Sequence, residues 1–375
     1  MKISRIIIVV LVVVIIAIIA LAAYSALTPT STSPWKSAAD YPLQVSDELG
    51  VAGQQCFNST AYVYCIGGED VNYGPHNAVF TSSAISSSSS NITSWTADGP
   101  YPQTIYAQAC VAYSGYAYCV GGTYDDSGDD VALSYYAPLN SGGAVGTWAP
   151  TTPYPLPVDS QYCVASSGYI YCAGGFDEQP VSQGSETGYN ASRAESDYVY
   201  YAPLSPSGIG TWVQTTSYPS NTYLPSCFVA NGYIYCLGGV NSDNNAVSTD
   251  YYAPLTAAGV GAWTSTEAYP IQGIFYACAI SSGNIYCVGA EESSGYSNAV
   301  YYATVSSAGI GAWTKAANYP DSVATDCVIS SGNLYCIGGV DSSGETGAAY
   351  YIPLDSLLGV ATTTSSSVRS ATPLV

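Results

Sequence analysis

The chain has 375 residues and a formal net charge of −20 at pH 7, since 26 acidic residues outweigh six basic ones. This charge disfavours nucleic acid and anionic membrane surfaces as partners. A single histidine, His76, excludes sites that need several imidazole ligands.

The first predicted element is an uncharged apolar run, residues 6–27, which follows a short basic segment, residues 1–5. The run is long enough to span a bilayer, and the basic flank predicts that residues 1–5 stay in the cytoplasm. Because it is longer than the apolar core of a usual signal peptide, we predict a retained transmembrane helix, with cleavage near residues 20–22 as the alternative. Residues 28–34 are rich in Ser, Thr and Pro and are predicted to form a solvated linker.

From Trp35 onward the chain consists of a unit that recurs about every 50 residues, which indicates a repeat architecture. β-Branched and aromatic residues flank a turn pair such as Ser167-Gly168 or Asn231-Gly232, so each unit is predicted to contain a two-residue β-hairpin. In the first unit Thr60-Ala61 takes this place, and a distorted turn is expected there. Each hairpin carries two cysteines at one constant spacing: Cys56 and Cys65, Cys110 and Cys119, Cys163 and Cys172, Cys227 and Cys236, Cys278 and Cys287, and Cys327 and Cys336.

Counting outward from each turn places the two cysteines of a hairpin directly opposite each other, at a distance that suits a disulfide. Zinc is the weaker interpretation, because zinc ligands within a pair are usually closer in sequence and often include histidine. We therefore predict six disulfides and, with them, an oxidising compartment outside the cytoplasm.

The rest of each unit has a Gly-Gly pair, a variable loop, a Tyr-Tyr strand and a Gly-x-Trp segment before Tyr-Pro, which gives four short strands. The fifth unit departs with Gly289-Ala290, so one glycine of the pair is expected to be dispensable. Trp35 precedes the first cysteine pair, whereas no tryptophan follows Tyr350-Tyr351 in the last unit. We predict that the segment from Trp35 to Tyr41 supplies the missing fourth strand and closes a ring.

These features resemble the kelch repeat, with its hairpin ending in Gly-Gly, its aromatic third strand and its tryptophan at the fourth. The resemblance covers residues 35–355 and implies an all-β fold, a six-bladed β-propeller of the galactose oxidase type. The insert at residues 202–210 is more similar to microbial exported kelch-like proteins. Function does not follow from this resemblance, because propellers carry unrelated activities.

Acidic residues concentrate between the Gly pairs and the third strands, in loops that share one face of a propeller. Loops on a rigid scaffold carry most recognition, so we predict a recognition face there, although the carboxylates could equally serve only solubility. Asp125, Asp126, Asp129 and Asp130 are weak candidates for binding calcium, without the spacing of an EF-hand loop. The residues assigned to the recognition face are Glu69, Asp70, Asp125, Asp126, Asp177, Glu178, Asp243, Glu291, Glu292 and Asp341.

No catalytic residue or cofactor site is predicted. Copper-oxidase chemistry needs more histidine, and sialidase or mutarotase chemistry needs more basic residues than Arg193 alone. The sequence does not exclude a glycoside-hydrolysing site that consists of a pair of carboxylates. Asn58, Asn91 and Asn190 begin glycosylation sequons, and residues 356–375 form a predicted Ser/Thr-rich tail.

The scarcity of Lys and Arg beside six disulfides predicts adaptation to an acidic medium, because carboxylates lose their mutual repulsion near their ordinary pKa of about 4. The sequence as a whole predicts a membrane-anchored, extracytoplasmic binding, adhesion or surface-assembly module, whose partner is a cell-surface protein or glycan. The alternatives are a carboxylate-based carbohydrate enzyme and a purely structural envelope component.

Overall fold

The computed structural model describes residues 33–42, 44–45, 48–49, 51–70, 74–86, 88–124, 129–180, 189–243, 245–247 and 249–358. The chain divides into two compact units, residues 1–34 and 35–375, and the fold given below is that of the second. The predicted membrane anchor at 6–27 lies outside the described residues. Within the described part, no helix is long and apolar enough to cross a membrane.

The described chain is built almost entirely of short antiparallel strands. Ahead of the first hairpin lie β1 (Lys36–Ser37), β2 (Gln44–Val45) and β3 (Glu48–Leu49). Unit 1 contains β4 (Gln55–Ser59), β5 (Tyr62–Ile66), β6 (Val79–Ser82) and β7 (Trp95–Ala97). Unit 2 contains β8 (Ile105–Tyr106), β9 (Ala109–Tyr113), β10 (Tyr116–Val120), β11 (Thr123–Tyr124), β12 (Asp129–Asp130), β13 (Ser134–Pro138) and β14 (Ala149–Pro150). Unit 3 contains β15 (Val158–Asp159), β16 (Tyr162–Ser166), β17 (Tyr169–Ala173), β18 (Phe176–Pro180), β19 (Tyr189–Glu195), β20 (Val199–Ser205), β21 (Gly208–Ile209) and β22 (Val213–Gln214).

The last three units have the same core of four strands. Unit 4 contains β23 (Ser226–Ala230), β24 (Tyr233–Leu237), β25 (Tyr251–Thr256), β26 (Gly259–Val260) and β27 (Thr264–Ser265). Unit 5 contains β28 (Ala277–Ser281), β29 (Asn284–Glu292), β30 (Gly295–Ser306), β31 (Gly309–Ile310) and β32 (Thr314–Lys315). Unit 6 contains β33 (Val323–Ser330), β34 (Asn333–Asp341) and β35 (Gly344–Pro353), followed by the short helix α1 (Leu354–Leu357).

A disulfide-bridged hairpin forms the inner half of every unit. The two cysteines of each pair are direct register partners, and their Cα atoms lie 4.1 to 4.2 Å apart. The prediction of six disulfides is confirmed. The bridges join Cys56 to Cys65, Cys110 to Cys119, Cys163 to Cys172, Cys227 to Cys236, Cys278 to Cys287, and Cys327 to Cys336.

The hairpin turns follow the expected geometry. In five units both central turn residues have positive φ, as in Asn231 (51°) and Gly232 (79°), which is the type I′ geometry. In the first unit Thr60 has φ 54° and Ala61 does not have positive φ, so that turn differs as expected. The register of the first hairpin is nevertheless the same as in the other units.

The first strands of successive units contact one another in chain order, and β33 of the last unit contacts β4 of the first. This contact closes the six units into a ring. In the last unit the sheet order is β1-β35-β34-β33, and β1 pairs Lys36 with Tyr351 and Ser37 with Tyr350. The N-terminal segment therefore supplies the outer strand of the last unit, as the sequence predicted.

Helix α1 extends the packed region beyond the predicted end of the repeat domain at residue 355. Leu354 and Leu357 are buried in the cluster that also contains Trp35 and Ile352. The predicted tail therefore begins later than residue 356, because two apolar side chains of the helix pack against residues beside the closing strand.

The Gly pairs are the joints between units. A Cβ on Gly174 would lie 2.5 Å from the carbonyl oxygen of Thr222 in the next unit, and the N–H of Gly175 donates to that same oxygen at 2.9 Å. In unit 5 Gly289 keeps its positive φ, whereas Ala290 is accommodated without one and is fully buried. The first position of the pair therefore requires glycine more strictly than the second.

Each tryptophan of the repeat packs edge-on against a tyrosine of the preceding Tyr-Pro dipeptide. The ring centroids are 4.9 to 5.5 Å apart, and the tyrosines are buried. Trp35 contacts Tyr319 and Trp95 contacts Tyr41, so the series continues across the closure of the ring. The pairs join neighbouring units near their outer strands, whereas the hairpins meet at the centre.

Candidate functional site

A cavity of about 550 Å³ lies at the centre of the ring, and every unit contributes to its wall. We call it the axial cavity. The residue just before the first cysteine of each hairpin differs from unit to unit, and four of these positions carry a polar side chain that lines the cavity: Gln55, Tyr162, Ser226 and Asp326. We call these four residues the axial polar cluster.

The cysteines stand behind this wall as structural residues. The second cysteine of every pair is fully buried, and these six are Cys65, Cys119, Cys172, Cys236, Cys287 and Cys336. Of the first cysteines, Cys278 reaches the wall of the axial cavity. All twelve are bonded in pairs, so the bridges hold the inner strands that carry the axial polar cluster.

The acidic loops reach the same cavity. A hairpin brings the end of its second strand beside the start of its first, so the loops after the Gly pairs lie at the end of the ring where the first strands begin. Glu69, Phe176, Glu291 and Val340 follow the glycine pairs, or Gly289-Ala290 in unit 5, of four different units, and all four line the axial cavity. The predicted recognition face and the axial cavity are therefore on one side of the ring.

A partial collar of backbone hydrogen bonds surrounds the axis three residues before the first cysteines. The N–H of Ala107 donates to the carbonyl of Gly53 at 3.0 Å, that of Ser160 to Ala107 at 3.0 Å, and that of Leu224 to Ser160 at 2.8 Å. These residues and Phe275 have φ between 53° and 62°. In the described chain the collar joins units 1 to 4, and no such bond joins Phe275 to Leu224.

Asp326 is held at the axis by backbone donors. Its Oδ2 accepts a hydrogen bond from the N–H of Cys56 at 2.5 Å and lies 3.4 Å from Nε2 of Gln55, and the N–H of Cys327 also donates to the carboxylate. Burial raises the pKa of Asp326 to about 7, although the N–H donors of Cys56 and Cys327 lower it. The residue keeps partial water access because it faces the cavity, while protein surrounds it on the other sides.

Tyr162 belongs to the same cluster from unit 3. Burial raises the pKa of its phenol well above the usual value, the charge of Asp326 raises it further, and a hydrogen bond with Ser226 lowers it. The phenol therefore stays neutral at any physiological pH, and it presents a hydroxyl group near the Asp326 carboxyl. Together these groups can bind a ligand hydroxyl or cation, and they can exchange a proton with it.

The wall of the axial cavity is both acidic and aromatic. Four carboxylates line it, and the described residues that line it include no Lys, Arg or His. Phe176 and Tyr223 form an edge-on pair with their ring centroids 4.3 Å apart, and Phe275 is 44% exposed. The aromatic residues in the wall are Tyr106, Tyr162, Phe176, Tyr223, Phe275, Tyr276 and Tyr296.

The ten residues assigned to the recognition face fall into different environments. Glu69 and Glu291 line the axial cavity, and burial together with the charges of Glu345 and Asp70 raises the pKa of Glu69. Asp243 is exposed, and Glu292 and Asp341 are half-buried. These residues remain accessible to a partner.

The expectation of a solvent-facing carboxylate is not met at Asp70 and Asp177. They are only 5% and 1% exposed, because Asp70 bonds to Nε2 of His76 at 2.6 Å and to the N–H of Gly74, and Asp177 lies within strand β18. Glu178 is also in β18, and its side chain lies outside the described part.

Of the four proposed calcium ligands, only Asp130 has its side chain within the described part of the structure. Asp125 and Asp126 lie outside it, as does the side chain of Asp129. Asp130 is buried in β12, within hydrogen-bond distance of Oγ1 of Thr123 at 3.3 Å. Among the described residues, no group of three or more His, Cys, Asp or Glu side chains could hold a metal ion.

The three sequons differ in accessibility. Asn58 is exposed in β4, whereas the Oδ1 atom of Asn91 is buried. Asn190 lies in β19, and its side chain is outside the described part. Glycosylation at Asn58 is sterically feasible and stays a prediction.

Sequence reasoning missed the axial polar cluster. One signal could have found it: the position before the first cysteine varies among Gln, Ala, Tyr, Ser and Asp while the flanking hairpin is nearly constant. In a ring of equivalent units, a position that varies while its neighbours do not is free of the repeat's packing requirement. Asp326 and Tyr162 stand out once the units are compared in this way.

The solved structure of YjhT, a kelch-repeat β-propeller, is similar to this chain with a TM-score of 0.63 and 12% sequence identity. The similarity covers 84% of this chain and 95% of YjhT, and it supports the propeller-like arrangement of four-stranded sheets. No family model matches the chain. No curated protein matches its sequence.

Proposed function

We propose that this protein is a six-bladed kelch-like β-propeller outside the cytoplasm that binds a small ligand, or one group of a larger partner, in its axial cavity. The observation that carries the proposal is the cavity itself, with a wall of aromatic and acidic side chains drawn from all six units. Its volume is typical of ligand sites, and a mixture of aromatic surface with a few polar groups is the usual composition of such sites.

The proposed location rests on the disulfides and on the N-terminal sequence. Six bridges favour an oxidising compartment outside the cytoplasm. The apolar run at residues 6–27 supports a membrane anchor, which would present the ring at the cell surface. A partner in binding, adhesion or surface assembly is then a glycan or a cell-surface protein.

The test is a binding screen with the full-length chain in mild detergent against a glycan array and fractionated envelope from its source, with and without calcium. The expected result is saturable binding that weakens when Glu69 and Glu291 in the cavity wall are replaced by Gln. Replacement of Glu267 by Gln, at an exposed carboxylate after the outer strand β27, is the matched control and should leave binding unchanged. No binding under any condition would contradict the proposal and favour a structural role.

A second candidate function is carbohydrate chemistry with a carboxyl catalyst, and the environment of Asp326 is the observation that favours it. A general acid needs a pKa near the working pH, and burial raises that of Asp326 to about 7. The test is release of nitrophenol from a panel of nitrophenyl glycosides. Turnover that disappears in Asp326→Asn would support an enzyme, and absence of turnover on every glycoside would count against it.

A further inference from the structure

We infer that the axial cavity selects a ligand that carries an ammonium group, with Asp326 as its counter-ion and the aromatic wall as its cage. This inference rests on the proposed function, because it names the ligand class of the same cavity. It is carried by three observations: the placement of the acidic groups, the distribution of the basic residues and the aromatic surface.

The acidic groups reach the cavity from different units. Asp326 comes from the start of the last hairpin, whereas Glu69 and Glu291 follow the glycine pairs of units 1 and 5. Because units 5, 6 and 1 are neighbours in the ring, these carboxylates lie on one half of the wall. A cation gains from this arrangement, and an anion is repelled by it.

The two lysines of the described chain lie elsewhere, whereas the side chain of Arg193 in β19 is outside the described part. Lys36 and Lys315 are exposed on the outer strands β1 and β32, at the periphery of the ring. The hydrogen-bond partners of the Asp326 carboxylate are two backbone N–H groups and the Gln55 amide, all of them neutral. When Asp326 is ionised, a ligand ammonium group can supply the positive charge that these partners lack.

The aromatic surface adds a second source of selectivity. A cation over the face of an aromatic ring is attracted by the ring quadrupole, and recognition of quaternary ammonium groups commonly uses several such rings. Tyr162 lines the cavity from unit 3, close enough for the charge of Asp326 to raise the pKa of its phenol, and Phe275 is exposed in the wall from unit 5. A neutral ligand of the same shape would gain the apolar contact but neither the cation–π attraction nor the ion pair.

The raised pKa of Asp326 agrees with this geometry, since burial disfavours the ionised carboxyl more than the two N–H donors favour it, and a bound cation would favour it further. The experiment is therefore run at pH 8, where the carboxyl is ionised in the free protein.

The test is calorimetric titration of the full-length protein with choline and with 3,3-dimethylbutan-1-ol, its neutral isostere, followed by spermidine as a primary amine. We expect choline or spermidine to bind at least about tenfold more tightly than the neutral alcohol. Asp326→Asn should remove that preference, while Glu267→Gln, at an exposed carboxylate after the outer strand β27, should keep it. The thermal unfolding of each variant shows that it is folded.

Three results would overturn the inference. The first is equal binding of choline and its isostere, and the second is an amine preference that survives in Asp326→Asn. The third is no binding of either amine while glycans bind on the array, which leaves the proposed function standing without the cation. No binding in either assay would remove both.

Discussion

Asp326 illustrates how one position of a repeat acquires a property that its equivalents lack. The corresponding residues in the other units are Gln, Ala, Tyr, Ser and Ala, and none of them is a carboxylate. A carboxyl group there is buried on all sides but one, so its ionised form is disfavoured. The N–H groups of Cys56 and Cys327 stabilise the carboxylate, but they do not offset the effect of its burial on the pKa.

The first prediction concerns the free-energy cost of ionising the Asp326 carboxyl in the folded protein. The folded-state pKa of Asp326 lies above its unfolded value, so its contribution to stability is present below about pH 4 and is lost as the pH rises towards 7. Asp326→Asn removes this dependence. At pH 8 the variant should be more stable than the native protein by about 1 to 2 kcal/mol, since cavity water reduces the full cost of ionisation.

Thermal unfolding of both proteins from pH 4 to pH 8 is the measurement. The difference in Tm should grow with pH and be small at pH 4, where Asp326 is protonated and similar in shape to Asn. A difference that stays constant across this range would show that the carboxyl is already ionised or solvated in the fold.

The second prediction concerns Thr60, a β-branched residue with φ 54° at the turn of the first hairpin. Positive φ is unfavourable for such a side chain, and glycine adopts it without a steric penalty. Thr60→Gly should stabilise the protein by about 1 kcal/mol, as measured by chemical denaturation. Ala61→Gly is the control, because Ala61 does not have positive φ and should gain nothing.

At the scale of elements, the units are joined by two sets of contacts. The Gly pairs let the backbone of the next unit approach at the centre, and the Trp–Tyr pairs join the outer strands. Both sets join residues of different units. A unit by itself would therefore leave these contact surfaces exposed to solvent. Pairing of β1 with the last unit closes the ring, so that every unit has a neighbour on each side.

The third prediction compares Gly174, a glycine at the contact between two units, with Gly168, a glycine in a hairpin turn. Gly174→Ala places a methyl group 2.5 Å from the Thr222 carbonyl at a residue with φ 67°, whereas Gly168→Ala meets nothing closer than 4.0 Å at φ 85°. Both variants carry the strain of positive φ, but the first also carries a clash. Gly174→Ala should lose about 2 kcal/mol more than Gly168→Ala in denaturant unfolding.

Equal losses in the two variants would mean that the ring relaxes to admit the methyl group. Ala290 at the second glycine position of unit 5 gives a natural comparison, because the fold there accepts a Cβ without positive φ. The clash is therefore expected to matter at the first position of the pair.

At the scale of the whole molecule, several carboxyl groups are shifted in the same direction. Burial raises the pKa of Asp250 to about 6 and of Asp326 to about 7, and it also raises that of Glu69. Asp250 is buried, and its carboxyl oxygens accept hydrogen bonds from the N–H groups of Gly238 and Tyr269. These groups bind protons more tightly in the folded than in the unfolded state.

The fourth prediction follows from this direction. Because the folded state holds more protons between about pH 4 and pH 7, stability should fall as the pH rises through this window. The Tm of the native protein should therefore be higher near pH 4 to 5 than at pH 7 to 8, in agreement with the predicted adaptation to an acidic medium. A maximum at neutral pH with unfolding at pH 2 to 3 would contradict both.

The sequence by itself determined the architecture because the information is local and repeated. Cysteine spacing fixes the hairpin register, the turn pairs fix the hairpin geometry, and the unmatched Trp35 predicts the closing strand, all of which the structure bears out. Each of these features depends on residues a few positions apart or on a count of units, and none of them requires knowledge of distant contacts.

Only the tertiary structure decided which acidic residues share a surface. Asp70 and Asp177 are in the interior, whereas Asp326 lines the same cavity as Tyr162, from a unit about 160 residues away in the chain. Burial and the distance between units depend on how the ring closes. Composition counts the carboxylates but does not place them, and only the closed ring brings Glu69, Glu291 and Asp326 from three units to one cavity.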